Sequence, residues 1–188
     1  AFAEVRELDR YHLERVREIQ HEFDDRYRPA EREELARHRE EIAHRIEESA
    51  AIGIAGGHVG ALLTRLRLFD IPSLIGLRPV IAWSAGAMAL GERVVLFHDD
   101  SPQGFDHAEV HEPGLGLYRN LLVFPHARRR LRLDDPERVS LLARRFQPMQ
   151  CIPMDEGDRI EWHHHYADLH SGTRLLNGTG GIDQVGLP

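Results

Sequence analysis

The sequence predicts an α/β fold: a mostly parallel sheet with helices on both faces and a C-terminal β-hairpin. Three observations predict it. Short β-branched or apolar runs alternate with helical periodicity from Ala51 to Phe146. Several of these runs deliver a glycine, serine or histidine at their C-terminal ends, the edge where open parallel sheets place their sites. From Gln150 onward the pattern shortens to strand, turn, strand.

In chain order, residues 3–22 and 30–48 read as two charged amphipathic helices, separated at Arg28-Pro29-Ala30. Their Glu–Arg pairs at spacings of three and four mark a solvated face. Ala51 to Ala55 is a short apolar strand ending in Gly56-Gly57. Val59, Leu62, Leu63, Leu66 and Phe69 recur at helical spacing. Val80 to Trp83 is a second strand, and residues 85–91 a short helix. Arg93 to Phe97 and Leu121 to Phe124 are further strands, and residues 136–146 a helix with Pro136 in its first turn. Cys151 to Met154 and Arg159 to Trp162 read as hairpin arms around Asp155 to Asp158. No linker divides the chain. It reads as one domain over 1–188, with a charged helical part (1–48) and a core (51–188).

Composition narrows the chemistry. Of 188 residues 41% are hydrophobic, enough for a real core, and no apolar run is long enough to span a bilayer. The net charge of −7 argues against a nucleic-acid partner. A single cysteine, Cys151, allows no internal disulfide and fits a reducing cytoplasm; it lies in the apolar run Met149 to Met154 and reads as buried filler. All 24 basic residues are arginine, so Schiff-base lysines, P-loop lysines and Ser–Lys dyads are excluded. Any general base must be His, Asp or Glu.

The segment Val80-Ile81-Ala82-Trp83-Ser84-Ala85-Gly86-Ala87 carries the sharpest signal. A β-branched run feeds a serine whose neighbours at minus two and plus two, Ala82 and Gly86, are small. A nucleophile elbow needs this, because side chains at those positions collide in so tight a turn. Ala82 stands where the usual pattern has glycine. A serine hydroxyl needs a base, and His126, delivered by Leu121 to Pro125, is the best placed; His98, after Arg93 to Phe97, is second. The base needs an acid. Asp99, Asp100, Asp106, Glu109 and Glu112 qualify, and spacing does not choose among them. The N–H groups of Ala85 and Gly57 are candidate oxyanion donors. Arg128-Arg129-Arg130 and Arg132 follow the histidine and can pair with a substrate carboxylate or face solvent. Two histidine groups carry little weight as metal sites. His163-His164-His165 alternate faces of a strand, and His98, Asp99, His107 and His111 match no ligand spacing.

Gly56-Gly57 after a strand, Trp83-Ser84-Ala85-Gly86-Ala87, and Pro125-His126 after a later strand together resemble the dipeptidase E and cyanophycinase family. These are serine peptidases on a flavodoxin-like, class I glutamine amidotransferase-like fold. The resemblance runs from Ala51 to Asp183, and the W-S-A-G-A segment is its most specific part. It implies Ser84 as nucleophile, His126 as base and Asp99 as the acid that completes the triad. On the reading of the residues themselves, Gly57 and Ala85 stay the expected oxyanion donors and Gly56, Arg128 and Arg130 the expected substrate-binding residues, with no metal and no cofactor expected. The family's first βα unit is expected ahead of Ala51 and is not seen there. Two positions depart from the family. His58 follows Gly-Gly where asparagine is frequent, and Asp134 to Arg138 replaces a Thr-Arg-Glu segment whose arginine reads an aspartate.

The expectation is therefore a cytoplasmic serine-dependent hydrolase, a peptidase or isopeptidase that takes small peptides through an acyl-enzyme. The N-terminal helices offer a homodimer contact. Two alternatives stand beside it: a catalytically silent amidotransferase-like binding scaffold, and an esterase, since an activated serine attacks esters as well as amides.

Overall fold

The computed structural model of the chain describes residues 1–97, 108–163 and 166–186. It is a mixed α/β fold of helices and short strands. The two predicted N-terminal helices form as α1 (Phe2–Tyr27) and α2 (Glu33–Glu47). Arg28, in the left-handed region at φ 44°, ends α1, and Pro29 opens one 3-10 turn between them. Then follow β1 (Ile52–Ile54), α3 (Val59–Leu68), α4 (Ile71–Ile75), β2 (Val80–Ala82), α5 (Ala85–Leu90), β3 (Arg93–Leu96) and β4 (Glu109–Pro113). The second half runs β5 (Leu121–Pro125), α6 (Ala127–Arg130), α7 (Pro136–Phe146), β6 (Gln150–Met154), β7 (Glu161–His163), β8 (Tyr166–Asp168), β9 (Arg174–Leu176) and β10 (Ile182–Gln184). Two helix starts, those of α3 and α7, follow capping chemistry: His58 Nδ1 accepts from the Ala61 N–H at 3.2 Å, and Asp135 Oδ1 from the Arg138 N–H at 3.2 Å.

The sheet is only in part the one predicted. Among the described residues the strands pair only two by two. β1–β2 and β5–β6 are parallel; β3–β4, β7–β8 and β9–β10 are antiparallel. No extended, mostly parallel sheet forms among them. At three residues each, β1 and β2 offer little ladder for a further strand. The hairpin predicted over 151–162 also does not form. β6 lies parallel to β5 instead, from Leu121↔Gln150 to Pro125↔Met154, because Cys151, Ile152 and Pro153 are apolar on both faces and fully buried. The C-terminal hairpins are β7–β8 and β9–β10. Glu109 to Pro113, expected as loop, is a strand against β3.

Two clusters bury the apolar residues. The larger packs Phe124, Leu122, Leu131, Val139, Leu142, Phe146 and Cys151 around β5 and β6. The smaller packs Val59, Leu63, Ala85, Met88 and Ala89, joining α3 to α5. Cys151 is 1% exposed, and burial pushes its thiol up to about 12, so it is inert filler as expected. The N-terminal α1 is tied to α7 by a near-buried bidentate pair. Arg145 Nε and Nη2 donate to the two Asp9 carboxylate oxygens at 2.9 and 2.7 Å, and Arg145 Nη1 donates to the Ala108 carbonyl. Removing one member of such a pair strands the other's charge. Asp9→Ala is therefore expected to destabilise the fold by about 3 kcal/mol, on the order of 10 °C in Tm, read by thermal denaturation.

Candidate active site

Four strand ends build the site. β1 runs into Gly56-Gly57, β2 into Trp83-Ser84, β5 into His126, and β6 into Asp155-Glu156. The ladders are parallel and in register at Ile54↔Ala82 and Pro125↔Met154, so the C-terminal ends of each pair emerge together. Contacts of α5 with β2, β3 and β5 bring the two pairs to one place.

Ser84 adopts φ 54°, ψ −127°, a region that costs a non-glycine residue about 1–3 kcal/mol. A strained strand-to-helix turn of this kind is the geometry that a nucleophile elbow requires. The turn is held by backbone. The Trp83 N–H donates to the Ile54 carbonyl at 3.2 Å, and the Gly86 N–H to the Trp83 carbonyl at 3.0 Å. A Cβ on Gly86 would lie 2.2 Å from the Ile54 oxygen, so any side chain at plus two would expel α5 from β1. Gly56 is equally constrained from the other side. A Cβ there would lie 2.8 Å from Ser84 Cβ and 2.9 Å from its Oγ. Gly57 follows at φ 140°, with open space above it. The Ala85 N–H opens α5, where the first helical amides lack intrahelical acceptors. Gly56 borders that amide: its Cβ position lies 3.5 Å from the Ala85 nitrogen.

His126 also has a left-handed backbone, φ 59° and ψ 40°, and caps α6. Its Nε2 stands 3.1 Å from Ser84 Oγ, within the reach a serine needs of its base. Two strained non-glycine residues from separate strand pairs thus meet through one hydrogen bond. Beside His126 opens a shallow cleft of about 450 Å³, lined by His126, Arg128, Arg129, Asp155 and Glu156. Arg128 is exposed, and Arg130, next but one on α6, is half-buried and does not line the cleft. Trp83, 52% exposed, lies against Gly53 beside the serine.

The acids divide sharply. Asp99, Asp100 and Asp106, with His98 and His107, lie outside the described residues. Glu112 is ion-paired with Arg67 and accepts from Gln20, so it serves the seam between α1 and α3. Glu109 stands opposite Leu96 on β4. Sequence reasoning missed Asp155 and Glu156 as site residues, because it read them as a hairpin turn. The available signal was their place straight after an apolar run, the same position that Ser84 and His126 hold after theirs. Burial raises the pKa of Asp155, but the Arg174 hydrogen bond, the Arg128 N–H and both guanidinium charges outweigh it and hold the carboxyl below its usual value. Both of its oxygens are occupied: Oδ1 accepts from the Arg128 N–H at 3.1 Å, and Oδ2 from Arg174 Nη2 at 2.8 Å. Glu156 is exposed and has no ion pair among the described residues.

Among the described residues no three His, Cys, Asp or Glu side chains converge as a metal site. His163 and His170 instead flank Glu161 at 3.7 and 3.3 Å, while His164 and His165 lie outside the described residues. No described helix is long and apolar enough to cross a membrane. Comparison of the chain with family models, curated proteins and solved structures finds no match.

Gly56→Ala tests how tightly the elbow is packed. A methyl 2.9 Å from Oγ must displace it, so a crystal structure of the variant is expected to show Ser84 Oγ more than about 3.5 Å from His126 Nε2, beyond hydrogen-bond reach.

Proposed function

We propose that this chain is a serine-dependent hydrolase, a peptidase or isopeptidase that cleaves small peptides through an acyl-enzyme. The observation that carries the reading is the 3.1 Å contact between Ser84 Oγ, on a strained elbow, and His126 Nε2. The convergence of two parallel pairs at their C-terminal ends supports a flavodoxin-like, amidotransferase-like arrangement around it.

His126 Nε2 takes the Ser84 proton as Oγ attacks the substrate carbonyl carbon. The oxyanion that forms accepts from the N–H groups of Ala85 and Gly57; one such donor contributes about 10²–10³ in rate. The carbon–nitrogen bond then breaks, and the imidazolium gives its proton to the leaving amine. Water repeats the attack with His126 again as base, freeing the acid and restoring Ser84. The exposed guanidiniums of Arg128 and Arg129 suit a carboxylate on a short peptide. None of these steps calls on a cofactor.

Two carboxylates compete to orient His126. Asp99 is the one that family resemblance implies. Glu156 is the other candidate: it lines the same cleft as His126 and has no ion pair among the described residues, whereas Asp155 is spent on Arg174 and Arg128.

Hydrolysis of dipeptides with Asp, β-aspartyl or neutral N-terminal residues, followed by amine release, checks the function. Ser84→Ala is expected to reduce turnover on the order of 10⁶-fold. Turnover that survives in this variant sinks the mechanism; ester cleavage without amide cleavage makes the enzyme an esterase. Glu156→Gln is expected to lower kcat about 10²–10⁴-fold at near-constant KM, with Asp99→Asn close to wild type. The reverse ranking returns the role to Asp99.

A further inference from the structure

We propose that Arg174 is a positioning residue for His126, acting through Asp155 on the first turn of α6; this rests on the serine-hydrolase reading. Arg174 lies on β9, far along the chain, and its side chain is only 17% exposed. Its Nη2 donates to Asp155 Oδ2 at 2.8 Å and to Asp158 Oδ2 at 2.7 Å. The same Asp158 oxygen accepts from the Asp155 N–H at 2.8 Å, and the Asp158 N–H donates to the Asp155 carbonyl at 3.1 Å. One guanidinium therefore locks the turn that follows β6.

The locked turn reaches the site through two contacts with Arg128, whose exposed Nε lies 3.6 Å from Asp155 Oδ2 and whose backbone contact is the shorter. Asp155 Oδ1 accepts the backbone N–H of Arg128 at 3.1 Å. Arg128 is the second residue of α6, whose first N–H groups have no acceptor inside the helix, and His126 is the cap of that helix. No side chain within α6 caps it. Asp155 thus supplies from another strand the acceptor that the helix lacks. A carboxylate there also meets the positive end of the backbone dipoles. His126 needs this support, because a left-handed backbone costs a non-glycine residue roughly 1–2 kcal/mol and holds only where neighbours impose it. Without Arg174, two aspartates would face each other across the turn with their shared cation gone. The exposed Arg128 guanidinium, 3.6 Å from Asp155, would remain as a looser tether, so Asp155 would lose its fixed orientation and α6 and its cap would loosen. A shift of about 1 Å at a reacting group lowers rate on the order of 10²-fold.

A plain staple for the C-terminal strands would stabilise the fold without acting through the histidine, and kinetics separate the two roles. The probe is diisopropyl fluorophosphate. Ser84 Oγ bonds to phosphorus, fluoride leaves with the phosphorus–fluorine electron pair, and His126 takes the serine proton. Arg174→Met is expected to lower the maximal labelling rate constant on the order of 10²-fold with the half-saturating concentration little changed, and Arg174→Lys to recover part of the loss. In a His126→Ala background, Arg174→Met is expected to have no further effect. Amide hydrogen exchange over residues 127–130 is expected to quicken in Arg174→Met and not in Ser84→Ala.

Wild-type labelling in Arg174→Met, an equal further loss in the His126→Ala background, or unchanged exchange over 127–130 each overturns the proposal. Should Arg174→Met not fold, Arg174→Lys carries the same tests with a smaller expected effect. Failure of the hydrolase reading looks different: wild-type chain then takes no label at Ser84, while the exchange difference persists.

Discussion

The close approach of Gly86 to the Ile54 carbonyl is the constraint on which the rest of the site depends. An α5 that rests directly on the β1 backbone leaves the chain no gentle route from β2 into the helix. The turn must be made at one residue, and Ser84 makes it with a backbone that only packing can enforce. The same contact sets α5 against β5, and so sets where a residue leaving β5 meets the serine. A hydroxyl lifted clear of the strand, a bare glycine over it and a histidine 3.1 Å away all follow from one missing side chain.

The other half of the site rests on burial. β5 and β6 are apolar on both faces, and a parallel pair buried on both faces is strongly fixed in register. With Pro125 beside Met154, the residues that leave the two strands, His126 and Asp155, must emerge as neighbours. Polar geometry at the cleft is thus set by apolar residues that never reach it.

Most of this was legible in the chain. The elbow could be read because its demand is local: small residues at fixed offsets from a serine after a β-branched run. His126 could be read because a strand end is visible as an apolar run that stops. The helices α1, α2, α3 and α7 announced themselves by period and by Pro29 and Pro136. What could not be read was pairing. Gln150–Met154 looked like a hairpin arm because the turn residues Asp155 to Asp158 follow it, and its actual partner, Leu121–Pro125, lies well upstream. Asp155 and Glu156 were missed for that reason alone. Glu109–Pro113 was missed because its sequence, Glu-Val-His-Glu-Pro, is mostly polar, and it becomes a strand through pairing with β3 and contact with α1. The wide parallel sheet expected from alternation does not appear among the described residues, since alternation speaks to strand order and says nothing of how many strands share a ladder.

Trp83 gives the site an optical property. The chain holds two tryptophans, and one is bonded in sequence to the candidate nucleophile. Its indole is half in solvent and lies against Gly53. The other, Trp162, belongs to the β7–β8 hairpin and has its ring nitrogen buried. The chain thus holds one half-exposed fluorophore bonded in sequence to Ser84, and a second whose ring nitrogen is out of water. The strained turn carries an indole of its own, one residue from its serine.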